Sequence, residues 1–247
     1  MAGPQKGETL DDLQNGYYLL QSENGFRFGM DAVLLAEYTE IRPGERVLDL
    51  GCGNGILPLL LAARNPDVHM TGLELNRESA VLAKRNVEYN HLEDRILIEQ
   101  GDIREAVSRF GAASFDVLVS NPPYMIQSHG KVSPNSQIAM ARHEVCCTFR
   151  DLAGAASGLL RDHGRLYLVH RPFRLAEILD TLREYRLEPK RIRLVHPFAD
   201  REANLVLIEA LRGGNARVTV EPPLIVYEQP GVYTEELRKI YRCGPES

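Results

Sequence analysis

The sequence predicts an α/β protein built on a doubly wound, mostly parallel sheet of seven strands. Three observations carry this reading. Short apolar runs alternate with helical stretches along most of the 247 residues. A glycine-rich turn joins the first of these runs to an apolar helix, and no repeat, low-complexity tract or linker interrupts the alternation.

The elements follow in order. Arg46–Leu50 reads as a strand, Gly51-Cys52-Gly53-Asn54-Gly55 as a tight turn, and the apolar stretch through Arg64 as a helix. Val68–Leu75 is a second strand, and Arg77–His91 an amphipathic helix with Ala80, Val81, Ala83, Lys84 and Val87 at helical spacing. Arg95–Glu99 and Phe115–Ser120 are the third and fourth strands, the latter running into Asn121-Pro122-Pro123-Tyr124. Arg165–His170, Arg191–His196 and Asn204–Ala210 complete the seven, with helices over Arg150–Arg161 and Phe173–Tyr185 between them. This core spans 45–212. Before it, residues 1–44 read as a lid: Tyr17–Leu20 and Phe26–Phe28 flank Asn24-Gly25, a dipeptide suited to a two-residue hairpin turn, and a short helix starts at Asp31. After it, residues 213–247 read as a tail, extended over Arg217–Tyr227 and helical over Thr234–Tyr241.

Composition narrows the classes. With 44% hydrophobic and 26% charged residues the chain can bury a core and lacks the signature of disorder. Its longest apolar stretch, Ile56–Ala63, falls far short of the roughly 20 residues of a membrane helix, and no basic, then apolar leader opens the chain. Membrane spanning and export are not expected. Cys52, Cys146, Cys147 and Cys243 form no CxxC, and no HExxH occurs, so neither a metal site nor a disulfide framework is expected; both fit a reducing cytoplasm. The net charge of −5 is uneven: 11 Lys/Arg face 19 Asp/Glu in residues 1–125, whereas 18 face 15 in residues 126–247. Of the 29 basic residues 24 are Arg, which suits phosphate and stacked bases, although codon bias gives the same count. Charge thus permits a nucleic-acid partner without requiring one.

Gly51, Gly53 and Gly55 follow a strand and open a helix, where backbone approaches a ligand closely. A dinucleotide fingerprint needs glycine where the chain has Ile56, and no Gly-Lys-Ser/Thr follows to make a P-loop. Asp49 repels a pyrophosphate but attracts a cofactor carrying an ammonium and a sulfonium, as S-adenosylmethionine does. Glu74, ending the second strand, is placed to accept from both ribose hydroxyls, and Asp102, after the third, from the adenine amino group. Leu75 and Ile103, beside these acids, join Asn54 in the expected cofactor set.

Asn121-Pro122-Pro123-Tyr124 stands at the carboxyl edge, where open α/β sheets bind ligands. A planar exocyclic amine is a poor nucleophile because its lone pair is delocalised. Acceptors on its two N–H groups counter this, and the Asn121 amide oxygen with the Pro122 carbonyl forms such a pair, stiffened by proline. Tyr124 offers a ring to stack on a planar substrate. A turn that merely ends a strand would use the same residue types.

Asp49–Gly55, Glu74, Asp102 and Asn121–Tyr124 resemble the motif set of Rossmann-like class I S-adenosylmethionine-dependent methyltransferases that modify adenine N6, cytosine N4 or glutamine nitrogen. Within that branch, Phe28-Gly29-Met30-Asp31-Ala32 and Ala141-Arg142-His143-Glu144 are similar to the bacterial valine tRNA adenine-37 N6-methyltransferase family. The resemblance implies that Asp31 borders the cofactor pocket and that the tetrapeptide methylates an adenine beside the anticodon. The substrate expected is therefore tRNA, with the target base flipped out of its stack onto Tyr124. Residues 128–136 read as a polar loop that orders on a large partner, and Arg142 and His143 as phosphate or base contacts or as a solvated helix face. Lys190, Arg191 and Arg193 hold phosphates or mark the alternation of an edge strand. His170 and His196 read as satisfied strand ends. Two other functions fit the motifs: glutamine methylation of a translation factor, and a catalytically idle RNA- or cofactor-binding protein. Glutamine-modifying relatives usually carry a helical domain before the core, and only about 44 residues precede the first core strand here, which favours RNA.

Overall fold

The computed structural model describes residues 3–23, 29–122 and 147–241. Its centre is a nine-stranded mixed sheet with helices on both faces. The strands are β3 (Arg46–Leu50), β4 (His69–Glu74), β5 (Ile96–Gln100), β6 (Phe115–Ser120), β7 (Leu160–His170), β8 (Leu187–His196) and β9 (Leu205–Arg212), joined by two short ones, β10 (Thr219–Val220) and β11 (Leu224–Ile225). Their order is β10-β8-β9-β7-β6-β3-β4-β5, with β11 also on β8. All seven expected strands are present. β3 to β7 run parallel, and β9 inserts antiparallel between β7 and β8.

Two apolar layers cover the sheet. On one face α1 (Met30–Tyr38), α2 (Ile56–Arg64) and α3 (Arg77–Tyr89) bury Leu34, Leu35, Leu59, Leu61, Ala83 and Val87. On the other, α4 (Ala106–Phe110), α5 (Phe149–Leu159) and α6 (Leu175–Glu184) bury Ala106, Leu152, Leu159, Ile178 and Leu182. Near-continuous runs such as the fully buried β6 are what a sheet covered on both faces demands. On α3 the apolar face is narrower than the spacing predicts: Val81 is 51% exposed and Lys84 is exposed, and the buried positions are Ala80, Ala83, Asn86 and Val87.

The N-terminal hairpin differs from expectation. β2 (Tyr18–Ser22) pairs antiparallel with the preceding β1 (Glu8–Asp12), Leu10 opposite Leu20. Asn24-Gly25 and Phe26–Phe28 lie outside the described residues. The connecting turn is built by side chains: Asp12 accepts from the Gln14 N–H at 2.7 Å, Asn15 accepts from the Tyr17 N–H at 3.1 Å, and Gly16 takes φ +91°.

The tail belongs to the core. β10 and β11 extend the sheet parallel to β8, so β8 is not an edge strand. β12 (Tyr227–Gln229) and β13 (Val232–Tyr233) form a small hairpin, and α7 (Glu235–Tyr241) follows. Leu224, Val226, Leu237 and Ile240 are buried in the same cluster as α1 and α2.

Candidate active site

β3 to β8 present their carboxyl ends along one edge, and the expected site residues within the described chain collect there. Gly51, Gly53 and Gly55 adopt φ of +83°, +55° and +84°, the left-handed region that disfavours any Cβ. A Cβ on Gly51 or Gly53 would meet no atom within 4 Å, so the upper side of the turn is open to a ligand. Its lower side is tied down: the Gly51 and Cys52 N–H groups donate to the Leu73 carbonyl at 2.9 and 3.1 Å.

Glu74 is buried, and each of its carboxylate oxygens accepts one backbone N–H. Oε2 takes Gly53 at 2.8 Å and Oε1 takes Asn76 at 2.7 Å. These bonds fix the carboxylate against the glycine turn and leave each oxygen a further acceptor position. Leu75 beside it is 37% exposed.

Asp49, two residues before Gly51 in β3, is fully buried. Neither carboxylate oxygen has a hydrogen-bond partner. Burial, with Glu74's charge adding to it, pushes this carboxyl well above the usual carboxylate range. A buried acid without a partner is costly and points to a group absent from the bare chain. Asp102 caps the short 3-10 turn Ile103–Glu105, accepting from the Arg104 N–H at 2.9 Å, and both its oxygens also accept from Arg104 Nε at 3.1 and 3.0 Å. That hydrogen-bonded guanidinium holds its pKa below the ordinary value. Asp102 is thus already engaged, so only its remaining lone pairs could meet an adenine. Asp31, in the first turn of α1, is buried and accepts from the Ala32 N–H at 3.0 Å.

Asn121 and Pro122 continue β6, both half-buried. Asp49 pairs with Val119, so Gly51 and Asn121, two residues on, leave the sheet side by side. Between them the Ser120 hydroxyl donates to the Leu50 carbonyl at 2.7 Å. Tyr124, Arg142 and His143 lie outside the described residues.

One residue that the spacing of α3 did not single out holds the turn. The fully buried Asn86 donates to the Leu20 carbonyl at 3.0 Å and the Asn54 carbonyl at 2.9 Å, and accepts from the Leu20 N–H at 2.6 Å. Four residues on, Asn90 exchanges two 2.7 Å bonds with the Tyr18 backbone. The two amides serve β2 as a partner strand would and clamp the hairpin to the glycine turn. A polar pair at i, i+4 on a helix's apolar face was the available signal.

Lys190, Arg191 and Arg193 are engaged within the chain. Lys190 donates to the Asn215 carbonyl, Arg191 pairs with Glu40, Glu209 and Glu221, and Arg193 pairs with Glu236 at 2.6 Å. Lys190 and Arg191 line a groove with Arg42 and Arg217, at the opposite edge of the sheet from the glycine turn. Of the two strand-end histidines, His196 meets the Arg201 carbonyl at 2.7 Å, and His170 accepts from the Arg171 N–H at 2.7 Å. Among the described residues no cluster of His, Cys, Asp or Glu could hold a metal, and no helix is long and apolar enough to cross a membrane.

The strand order, the open glycine turn and the strand-end acids define a class I methyltransferase, the class whose methyl donor is S-adenosylmethionine. The chain belongs to the methyltransferase small domain family, which matches residues 27–186. It is 33% identical over 224 residues, 87% of each chain, to the tRNA1(Val) (adenine(37)-N6)-methyltransferase of Porphyromonas gingivalis. It is 31% identical to the Aeromonas hydrophila protein of the same name, over 85% of this chain and 86% of that one. Among solved structures, a predicted O-methyltransferase from Agrobacterium tumefaciens superposes with a TM-score of 0.71 at 26% identity, covering 87% of this chain and 98% of that one. Geranyl diphosphate C-methyltransferase from Streptomyces coelicolor shares the fold at 16% identity, with a TM-score of 0.55 over 73% of this chain and 78% of its own.

Proposed function

We propose that this protein transfers a methyl group from S-adenosylmethionine to N6 of an adenine in tRNA, at the position beside the anticodon, and that it works in the cytoplasm. The observation that carries the proposal is the Ser120 to Leu50 hydrogen bond, which sets Asn121 and Pro122 next to the open glycine turn. The names of the relatives supply the substrate class.

The residues present fit the cofactor. Gly51 and Gly53 leave room above the turn for its methionine part, Asp49 gives an unpartnered acid for its cationic groups, and Glu74 retains acceptors for the ribose hydroxyls. Gly55 and Asn54 complete the turn, Leu75 and Ile103 flank the adenine, Asp102 meets its amino group, and Asp31 closes the pocket from α1. When bound, S-adenosylmethionine supplies an electrophilic methyl group. Asn121 Oδ1 and the Pro122 carbonyl accept the two amino hydrogens of the target base, drawing its lone pair out of the ring as the nitrogen attacks. Tyr124 stacks on that base, and Arg142 and His143 contact its neighbours. No general base of raised pKa is needed, because the proton leaves once the nitrogen has been methylated. The N-terminal hairpin serves as the lid, while α1 packs in the core beside it.

The test is labelled methyl transfer to total tRNA from a strain lacking the gene, followed by nucleoside analysis. N6-methyladenosine in a tRNA is the expected product. Label in protein glutamine, or none in RNA, would reject the reading.

A further inference from the structure

We propose that Phe173 is a stacking platform for a base that neighbours the target in the RNA substrate, an inference that rests on the tRNA reading above. Phe173 is 68% exposed, the most exposed large apolar side chain among the described residues. A lone exposed apolar residue carries no message by itself. Its place does. It lies in the 3-10 turn Pro172–Arg174, directly after β7. β7 is the strand next to β6, with Leu168 abreast of Ser120, so this turn follows the end of β7 at the same sheet edge as Asn121.

The backbone that carries the ring is fixed. Pro172 fixes its own φ, and the Arg174 N–H closes the turn on the Arg171 carbonyl at 3.2 Å. The Arg171 guanidinium donates to the Asn204 carbonyl at 2.9 Å, and Arg174 forks onto Glu177 at 2.9 and 2.6 Å. Behind it, buried His170 packs edge-on against Phe149, its ring 6.1 Å away, and takes the Arg171 N–H. Burial brings the His170 pKa down to about 4, so the ring stays a neutral acceptor at ordinary pH.

An exposed aromatic ring on a fixed turn is what single-stranded nucleic acid binding uses as a platform, because every base has a face that can stack on it. A second aromatic group on this edge, Phe198–Tyr227–Tyr233–Tyr241, has successive centroids 5.4, 5.2 and 5.8 Å apart. Those rings spend their faces on one another. Phe173 has a face to offer.

The test uses the full chain and a synthetic anticodon stem-loop carrying the unmodified adenine, intact or with an abasic residue beside the target. Phe173→Ala should weaken binding of the intact loop by about 5- to 150-fold, the span that base–aromatic stacking carries. The abasic loop should bind wild type correspondingly less well and lose nothing more with Phe173→Ala. Phe173→Tyr, which keeps the ring, should restore binding, while S-adenosylmethionine affinity and melting temperature stay as in wild type. Equal affinity of wild type and Phe173→Ala for the intact loop, or losses that simply add, would overturn the platform alone. A wild-type protein that neither binds the loop nor methylates tRNA would overturn the tRNA reading, and the platform with it.

Discussion

The Ser120 hydroxyl donates to the Leu50 carbonyl at 2.7 Å, in a fully buried position between the strand that feeds the glycine turn and the strand that feeds Asn121. This bond joins the two halves of the site. Ser120→Ala leaves the Leu50 carbonyl without that donor, which should cost about 1–3 kcal/mol in urea unfolding. It should also cost rate, because misplacement by about 1 Å lowers turnover up to about 100-fold. Wild-type stability together with wild-type single-turnover rate would show that the bond does not position the site.

Asn86 makes a second join, between the hairpin and the turn. Asn86→Ala deletes three hydrogen bonds to backbone groups at once and should destabilise the protein by about 2–4 kcal/mol. Because one of the three holds the Asn54 carbonyl, S-adenosylmethionine affinity should fall too. Hydrogen exchange at Leu20 locates the damage: it should speed up in the variant. Protection at Leu20 as in wild type would mean that β1 alone secures β2.

These joins mark the limit of what the sequence reveals. Asp49 through Gly55, Glu74 and Asn121-Pro122 are legible because turn chemistry is local: alternate glycines and a proline pair dictate their backbone whatever surrounds them. The β1 partner of Tyr18–Ser22 is not legible, since Glu8-Thr9-Leu10-Asp11-Asp12 shows no alternation of apolar and polar residues. Nor are β10 and β11, at two residues each too short to carry a period. Lys190, Arg191 and Arg193 look available in sequence because their partners come from other elements: the Asn215 carbonyl for Lys190, Glu40 before β3, Glu209 in β9 and Glu221 after β10 for Arg191, and Glu236 in α7 for Arg193.

Asp49 sets a pH dependence whose sign follows from its burial. Its pKa in the folded chain lies well above the usual carboxylate range, so the fold favours the protonated form. Stability from this group is complete below the unfolded pKa and declines as pH rises toward the folded one. Asp49→Asn has nothing to ionise. It should therefore raise the melting temperature of the cofactor-free protein, and by more at about pH 7 than at about pH 4. The gain costs function, because the cationic cofactor favours the ionised acid. Wild-type affinity should increase with pH and release a proton on binding, measured by calorimetry in buffers of different ionisation enthalpy. Asp49→Asn should bind weakly and without that proton. Unchanged affinity in the variant would remove Asp49 from the cofactor site.

Asn121 separates binding the methyl donor from activating the acceptor nitrogen. It leaves β6 abreast of Gly51, and its amide should meet the target amine, not the cofactor. Asn121→Ala should accordingly leave S-adenosylmethionine affinity within about 1 kcal/mol of wild type while methyl transfer falls by about 10²–10³, the loss seen when one preorganised hydrogen-bonding group is removed from a dry site. Asn121→Asp is the sharper variant. A carboxylate keeps an acceptor of nearly the same shape and accepts more strongly, but it brings a charge beside Asp49 and Glu74. Transfer should be faster in Asp than in Ala, and at saturating cofactor the rate of the Asp variant should depend on pH where the wild-type rate does not. Single-turnover methylation at saturating cofactor, with cofactor affinity measured in parallel, decides the matter. Similar rates for Ala and wild type would reduce Asn121 to the end of a strand, and a loss of cofactor binding equal to the loss of rate would assign it to the cofactor instead.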